Sequence, residues 1–259
     1  MKDLAVVTAA SSNHFGCLTN LLYSLRRFER RTRTLVYDLG LTPAKRRRLD
    51  AGGWETYTFP FEKHPPHMNI QTGRGQYAWK PVIIAEALEK TGVSVLWLDA
   101  GNLVHERLRR VRQVLRVEGF YSPTSPGTIA QWTHPGTLEY LGASSQLLSR
   151  PNRNGAVVGF NPARAGIGDF VDCWKRGALD ARCIAPEGSD RSNHRQDQAV
   201  LSVLAYQFQQ KLGFTLVDEL LGITIHNDKL SHAEAQKKVR VPGWLSRWWA
   251  SLGLRRRDP

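Results

Sequence analysis

A carboxylate that follows a short apolar run is the first feature of this sequence that could do chemistry. Residues 93–98 are rich in β-branched and other apolar side chains, and Asp99, Ala100 and Gly101 follow them. Such a run is too short for a typical helix and predicts a strand buried on both faces. Open α/β sheets bind ligands beyond the carboxyl ends of their strands, so Asp99 is a candidate binding residue. A simple strand-end turn is the alternative, because Asp-Ala-Gly is also good turn chemistry.

Two more polar clusters interrupt apolar patterns later in the chain. Asp197 and Gln198 stand at the start of an apolar helical stretch, and His226 follows an apolar segment. Aspartate and histidine are suitable ligands for Mn²⁺ or Mg²⁺, and a glutamine amide can bind sugar hydroxyls. Asp197 is explained equally well as a helix-start residue stabilised by the macrodipole, and His226 as a histidine of a surface turn.

Lys80 belongs to a Tyr-Ala-Trp-Lys-Pro segment at the predicted start of a helix. A lysine and aromatic rings near the positive end of a helix suit a phosphate or a base. A packing motif at the helix entry is the alternative, since Pro81 is tolerated in a first turn. No G-x-G-x-x-G follows the first strand and no G-x-x-x-x-G-K occurs. Their absence disfavours a dinucleotide dehydrogenase and a P-loop NTPase.

The elements that must position these side chains alternate between strand and helix patterns. This alternation predicts an α/β fold with a mainly parallel sheet flanked by helices. In the first half, strands are predicted over residues 4–10, 34–39, 54–59 and 93–98, helices over 15–28 and 76–90, and a loop over 60–75. In the second half, strands are predicted over residues 119–121, 156–160, 214–217 and 223–225, and helices over 167–176 and 195–209.

Length and composition favour one large domain with a short appendage. The chain has 259 residues, of which 41% are hydrophobic, so we expect an α/β domain over residues 1–236 and a tail over 237–259. We expect neither a membrane-spanning helix nor a signal peptide, because no apolar run is long enough. Three cysteines without CxxC spacing indicate reduced residues of a cytoplasmic protein.

The positive charge suits an anionic partner, although the internal basic runs within residues 26–33, 45–48 and 107–112 are better explained as solvated helix faces. The net charge is +13, and residues 237–259 carry seven basic residues and one acidic residue. An apolar face with helical spacing in this tail suits the surface of an anionic membrane, or equally a helix packed on the domain. The face comprises Val241, Trp244, Leu245, Trp248, Trp249 and Leu252.

Several short motifs occur in an order that resembles the nucleotide-sugar glycosyltransferases of the GT-A fold. They are Thr-Ala-Ala at 8–10, Tyr-Asp-Leu-Gly-Leu at 37–41, Tyr-Ala-Trp-Lys-Pro at 77–81, Leu-Asp-Ala-Gly at 98–101, Gly-Phe-Asn at 159–161 and Arg-Gln-Asp-Gln-Ala at 195–199. The resemblance includes a bacterial and nematode group with the Tyr-Asp-Leu-Gly-Leu signature. The resemblance covers residues 4–232 and implies a GT-A sheet of the Rossmann-like kind.

The resemblance also implies a mechanism. A sugar nucleotide, often UDP-linked, would lie over the C-terminal edge of the sheet, and Mn²⁺ or Mg²⁺ would be held on its diphosphate by a DxD motif and a late histidine. Asp99 matches the first aspartate of that motif, and His226 matches the late histidine. Asp197 and Gln198 match the region near the donor sugar and the acceptor.

Strand ends that border the nucleotide in this family match Thr8, Ala10 and Asp38. The chain departs from the family at Gly101, where the second carboxylate of the DxD motif is expected. A weaker metal site is one consequence, with a smaller Mn²⁺ requirement. Metal-independent catalysis is another, with Lys80 or a nearby arginine neutralising the diphosphate.

The function predicted from the sequence is transfer of a sugar from a nucleotide-sugar donor to a glycan or lipid-linked acceptor. The enzyme would be cytoplasmic and peripheral on the inner face of a membrane. A non-catalytic nucleotide- or sugar-binding protein of the same fold is the first alternative, because one carboxylate is missing. A basic nucleic-acid-binding protein is the second, supported only by charge. No RNA-recognition, helix-turn-helix or zinc-finger pattern is visible in the sequence, so we expect no specific nucleic acid.

Overall fold

The computed structural model of the protein describes residues 3–239, apart from the side chains of residues 72–75. The strands are β1 (Leu4–Ala10), β2 (Arg33–Asp38), β3 (Glu55–Thr58), β4 (Ser94–Leu98), β5 (Leu103–Val104), β6 (Phe120–Tyr121), β7 (Thr124–Thr128), β8 (Pro151–Arg153), β9 (Val157–Phe160) and β10 (Ile223–Thr224). The helices are α1 (Phe15–Phe28), α2 (Pro43–Ala51), α3 (Ile70–Gly73), α4 (Trp79–Thr91), α5 (Arg109–Glu118), α6 (Ile129–Trp132), α7 (Pro135–Tyr140), α8 (Ile167–Leu179), α9 (Ala181–Ile184), α10 (Gln196–Leu212) and α11 (His232–Val239).

A six-stranded sheet forms the centre of the molecule, in the order β3-β2-β1-β4-β9-β6. Strands β3, β2, β1 and β4 run parallel, whereas β9 is antiparallel to both β4 and β6. Strand β4 is central, and Val95 to Leu98 are fully buried. The mainly parallel sheet and the buried central strand predicted from the sequence are therefore confirmed.

Helices cover both faces of this sheet. Along β1, Ala5 and Val7 pack into one core with α4, α8 and α10, whereas Leu4 and Val6 pack into a second core with α1 and α5. This division follows from the two-residue period of a strand, which sends successive side chains to opposite faces. The carboxyl ends of β1, β2, β3 and β4 therefore meet at one edge, between the two helical layers.

Three predicted elements differ from the structure. The predicted loop over residues 60–75 contains α3 and short 3₁₀ helices, and α4 begins at Trp79 because Gln76 and Tyr77 adopt a left-handed backbone. Residues 214–217 form no strand: Phe214 packs into the core, and the Thr215 amide donates to the Glu118 carboxylate rather than to a neighbouring strand. The strand predicted over residues 223–225 contains β10, but its pairing with β5 and the pair β7–β8 were not predicted, because contacts between distant parts of the chain decide which short strands pair.

The predicted domain boundary at residue 236 falls inside α11. Ala235 and Val239 of this helix pack against Tyr23 of α1 and Leu103 of β5. The apolar face predicted for residues 241–252 lies outside the described residues. Between residues 3 and 239, no helix combines the length and the apolar character needed to span a membrane.

Candidate functional site

A cleft of about 530 Å³ opens where β1 and β4 end. Its floor is formed by residues 9–11 at the carboxyl end of β1 and by residues 99–101 after β4, as expected for a parallel sheet. Its walls come from the first turns of α4 and α10, from residues 154–156 before β9, and from the turn over residues 226–228.

Lys80 is a fully buried cation at the base of the cleft. Its Nζ lies 2.8 Å from Asp197 Oδ2 and 3.3 Å from Asp99 Oδ1, and it donates to the carbonyl oxygen of Gly155 at 2.9 Å. Desolvation lowers the pKa of Lys80, but the two carboxylates outweigh it, so the pKa lies above the ordinary lysine value. Lys80 is thus a charged link between two carboxylates, and its charge is taken up inside the protein.

Asp197 is placed by the first turn of α10, and only 5% of its side chain is exposed. Burial raises the pKa of Asp197 to about 6, the ammonium of Lys80 opposes the rise, and the charge of Asp99 adds to it. The preceding residue, Gln196, has a left-handed φ of 43°. Trp174 Nε1 donates to the carbonyl oxygen of Asp197, which fixes the turn against α8.

Gln198 lies beside Asp197 at the cleft wall. Its Oε1 accepts from the Gly155 amide at 3.4 Å, and its Nε2 donates to Ser125 Oγ at 3.3 Å. A Cβ on Gly155 would lie 3.2 Å from Asp197 Oδ2 and from Gln198 Cβ. The close approach of the 154–156 segment therefore favours glycine and keeps both predicted catalytic side chains at the cleft.

Asp99 follows β4 directly, and 40% of its side chain is exposed to the cleft side of the molecule. Its Oδ1 accepts from Trp97 Nε1 at 2.6 Å and faces Lys80. Asn102, considered with it in the sequence, is buried and donates from Nδ2 to the Ala156 carbonyl oxygen at 2.7 Å. Asn102 therefore stabilises the turn and does not reach the cleft.

The turn that carries His226 approaches the Asp99 turn closely. The amide of Asn227 donates to the Gly101 carbonyl oxygen at 2.8 Å, and its side chain donates to the same oxygen at 3.2 Å. His226 has a left-handed φ of 58° and an exposed side chain that lines the cleft. A Cβ on Gly101 would lie only 2.2 Å from Asp228 Oδ1. The volume of the missing side chain at position 101 is thus filled by a carboxylate from the other turn.

The three residues predicted to border the nucleotide are placed differently from one another. Ala10 lines the cleft. Thr8 is fully buried, and its hydroxyl has no hydrogen-bond partner among the described residues. Asp38 is buried and accepts from the amides of Gly40 and Leu41 at 2.8 and 2.6 Å, so it stabilises the turn after β2. Contacts of all three with a nucleotide stay a prediction.

Two arginines of the cleft were not singled out from the sequence. Arg191 and Arg195 both line it, and the Arg195 guanidinium lies 4.0 Å from the centre of the Trp132 ring. Arg195 belongs to the Arg-Gln-Asp-Gln motif, which is a signal that could have found it. Arg191 stands alone in a polar loop and carries no such signal. Because the charge of Lys80 is internally matched, these guanidiniums are the better candidates to meet a diphosphate.

The side chains at this end of the cleft are of the types that bind a divalent cation. Asp99, His226 and Asp228 bring two carboxylates and an imidazole to one cleft, although the described residues contain no group of three such side chains close enough to enclose an ion. The cradle above Gly101 supports the fit, because the carboxylate of Asp228 stands where the second aspartate of a DxD motif would project.

Of three comparisons with known proteins, the one with solved structures shows the fold. The model of a family described as a protein of unknown function, DUF1647, matches residues 1–85. No curated protein matches the sequence. The galactosyltransferase LgtC, solved with donor and acceptor sugar analogs, is 16% identical with a TM-score of 0.52, and the match covers 94% of this chain and 99% of LgtC.

Two further solved structures are similar. An active-site mutant of LgtC is 14% identical with a TM-score of 0.54, and the match covers 93% of this chain and 99% of that one. The bifunctional glycosyltransferase WbbM is 8% identical with a TM-score of 0.53, over 96% of this chain and 52% of WbbM. This chain thus spans about half the length of WbbM. These likenesses, together with the strand order, confirm the GT-A-like α/β fold predicted from the sequence.

Proposed function

We propose that this protein is a glycosyltransferase that moves a sugar from a nucleotide-sugar donor to an acceptor hydroxyl. The observation that carries the proposal is the buried Lys80, which holds Asp99 and Asp197 at the carboxyl edge of a GT-A-like sheet. Burying a cation with two carboxylates costs desolvation free energy, and hydrophobic residues could fill the same space without that cost. The presence of this cluster in a cleft therefore favours a functional role. Perturbed titratable groups in a cleft are typical of functional sites.

The proposed donor is a sugar linked to a nucleoside diphosphate, most simply UDP. Its nucleotide would lie over Ala10 and the turn after β1, and its diphosphate would face Arg191 and Arg195. Asp99 and His226 would hold a divalent cation, which when bound supplies positive charge against the leaving diphosphate.

Asp197 and Gln198 would face the reacting sugar. The Asp197 carboxylate would stabilise positive charge that develops on the sugar ring, and the Gln198 amide would hydrogen-bond sugar or acceptor hydroxyls. Lys80 acts through its neighbours: it fixes the two carboxylates and does not itself need to contact the donor. During transfer the bond from the anomeric carbon to the diphosphate oxygen would break, a bond to the acceptor oxygen would form, and the proton of the acceptor hydroxyl would pass to the leaving diphosphate.

An acceptor at an anionic membrane surface is the finer part of the proposal. A second cavity is lined by Arg30, Arg31, Arg107 and Arg109, beside Phe28. Between residues 3 and 239 none of these four guanidiniums forms an ion pair, and Val239, at the end of the described chain, packs in the same cluster as Phe28. A basic face next to the start of a basic tail suits a lipid-linked glycan.

A screen of nucleotide sugars by thermal unfolding tests the donor. A ligand that binds only the folded state at about a hundred times its Kd stabilises it by about 2.7 kcal/mol, so a matching nucleotide raises Tm. No shift with any nucleoside diphosphate at millimolar concentration would favour a non-catalytic sugar-binding protein, the alternative suggested by Gly101.

Turnover tests the chemistry. We expect Asp99→Asn to remove most transfer or donor hydrolysis while the protein stays folded, because losing this contact should raise the activation barrier by about 3–4 kcal/mol. Asp172→Asn, an exposed position on α8, is the matched control and should leave turnover unchanged. Equal turnover by the two variants would contradict the assigned site.

A further inference from the structure

We propose that Asp228 supplies, from a distant part of the chain, the cation-binding carboxylate that is missing at position 101. The inference rests on the proposed function, because it assigns a ligand to the same site. In this arrangement the second carboxylate of the DxD pattern is not lost but comes from another part of the chain. The prediction of a weakened metal site followed from Gly101 alone, without its neighbour in space.

A side chain at position 101 and the observed position of the Asp228 carboxylate exclude each other. An ideal Cβ at position 101 would lie 2.2 Å from Asp228 Oδ1, 2.7 Å from its Cγ and 2.8 Å from its Oδ2. Real Cβ atoms do not approach so closely, so any side chain at 101 would displace this carboxylate. Gly101 also lacks the positive φ that would demand glycine for the backbone. The observed position of the Asp228 carboxylate therefore requires that position 101 carry no side chain.

The position of Asp228 is held by hydrogen bonds on both sides. Asn227 is buried and donates from its amide and its side chain to the Gly101 carbonyl oxygen. Its Oδ1 accepts from Lys238 Nζ of α11 at 2.6 Å. The short pairing of β5 with β10 aligns the two turns just beyond it. The 226–228 turn is thus clamped to the Asp99 turn, and its carboxylate is not a side chain placed there by chance.

The charges around the site leave this carboxylate available. Among the described residues, no side chain or amide donates to the Asp228 carboxylate, and its side chain is exposed at the cleft. Asp99 uses Oδ1 for Trp97 and Lys80, which leaves Oδ2 for a ligand. Carboxylate oxygens are what Mg²⁺ and Mn²⁺ prefer, and a diphosphate supplies further oxygens. His226 on the same turn adds an imidazole.

Mn²⁺ binding measured directly tests the assignment without any turnover. The full chain is titrated with Mn²⁺, with and without UDP, and free Mn²⁺ is followed by electron paramagnetic resonance. We expect Asp228→Asn to weaken Mn²⁺ binding at least about tenfold, which is the loss typical of removing even an outer-shell partner. Asp172→Asn is the control for loss of one negative charge and should bind as the wild type does.

Two further variants keep the test decisive if Asp228→Asn folds poorly. Gly101→Ala keeps every carboxylate in the sequence but places a Cβ against Asp228, so we expect Mn²⁺ binding to weaken. The exchange Gly101→Asp with Asp228→Gly returns the carboxylate to the DxD position and should restore binding to within about threefold of the wild type, since the number of ligands is unchanged. A thermal melt without metal reports folding of each variant.

The outcomes separate this inference from the proposed function. Unchanged Mn²⁺ binding in Asp228→Asn, with loss in Asp99→Asn, would overturn the role of Asp228 and leave the glycosyltransferase proposal standing. A wild-type protein that binds no Mn²⁺ even with UDP would also overturn it. Weakened Mn²⁺ binding in Asp228→Asn and Gly101→Ala would support the assignment even if no sugar nucleotide is turned over, in which case the proposed function fails alone.

Discussion

Lys80 is the residue on which the geometry of the cleft depends. We expect Lys80→Met to lower the free energy of unfolding by about 3–5 kcal/mol, because it leaves the buried Asp197 carboxylate without its cation. Urea unfolding at pH 7 measures the loss. Lys90→Met is the matched control: Lys90 pairs with Glu86 at a part-exposed helix surface, and its removal should cost less than about 1 kcal/mol. An equal decrease in the free energy of unfolding in the two variants would show that the buried ion pairs of Lys80 stabilise the fold no more than a surface ion pair does.

Removing both charges separates pairing from packing. The double variant Lys80→Met with Asp197→Asn should be more stable than Lys80→Met alone, since it leaves only the part-exposed Asp99 without the cation. If the double variant is the less stable of the two, lost packing rather than an unpaired carboxylate explains the effect of Lys80→Met.

The sequence could name candidate site residues but not their partners. Asp99, Asp197 and His226 interrupt apolar patterns, and the structure brings all three to one cleft. The ion pairs of Lys80 and the position of Asp228 over Gly101 join segments that are far apart in the chain. No period or spacing reports such contacts. Thr8 and Asp38 were taken from a resemblance of strand ends, which carries no information on whether a side chain points to the cleft or into the core.

At the scale of the elements, continuity of the apolar pattern decided what was predictable. Strand β4 has a continuous apolar run and helix α1 a sustained helical period, and both were predicted to within a residue or two. Residues 214–217 alternate like a strand, but the Thr215 amide donates to the Glu118 carboxylate and the segment pairs with no described strand. Strands β5 and β10 are two residues long and exist because tertiary contacts align them. The turn that carries His226 depends on that pair, so its place beside the Asp99 turn was beyond local reasoning.

The segment between α9 and α10 gives a test by pH, because a buried histidine holds it in place. His194 Nε2 lies 3.0 Å from the Ile184 carbonyl oxygen, and its Nδ1 accepts from the His134 amide at 3.2 Å. Burial lowers the pKa of His194 to about 4, the hydrogen bond to Ile184 opposes the shift, and His134 adds to it. Between about pH 6.5 and 4, His194 is therefore protonated to a greater extent in the unfolded chain than in the folded chain.

Stability should consequently fall as the pH drops through that window. Once the pH is below the folded pKa, protonation of His194 should have lowered the free energy of unfolding by on the order of 3 kcal/mol. Asp197, with a pKa raised to about 6, acts in the opposite direction, so the effect is taken as the difference between the wild type and His194→Gln. Urea unfolding between pH 7 and 5 should show a shallower acid loss for His194→Gln. His14→Gln, at an exposed position, should keep the wild-type slope; a wild-type slope in both variants would contradict the argument.

At the scale of the whole molecule, the positive charge is unevenly placed. The net charge is +13, yet the base of the cleft holds Lys80 between two carboxylates. The second cavity is lined instead by guanidiniums that form no ion pair with any residue between 3 and 239, at Arg30, Arg31, Arg107 and Arg109. The sequence showed these basic runs but not that two of them, from the α1–β2 and β5–α5 connections, form one face. Phe28, which lines this cavity, packs in the same hydrophobic cluster as Val239, the last described residue of α11.

Removal of the tail tests the membrane part of the proposal. We expect the full chain to sediment with vesicles that contain anionic lipid at low salt, because each basic residue near such a surface contributes about 1 kcal/mol. Truncation after Val239, which keeps the packing of α11 on α1, should leave a folded protein that sediments much less. Added salt should release the full chain, because surface charges are screened beyond about 10 Å at 0.1 M.

The arginine face provides the second arm of this experiment. In the truncated protein, Arg107→Gln with Arg109→Gln should remove the remaining sedimentation, whereas Arg182→Gln, whose exposed side chain pairs with Asp180 elsewhere on the surface, should not. If the full chain ignores anionic vesicles at low salt, or if truncation lowers Tm sharply, the tail is a packing element of the domain. The acceptor would then have to be sought among water-soluble glycans rather than at a membrane.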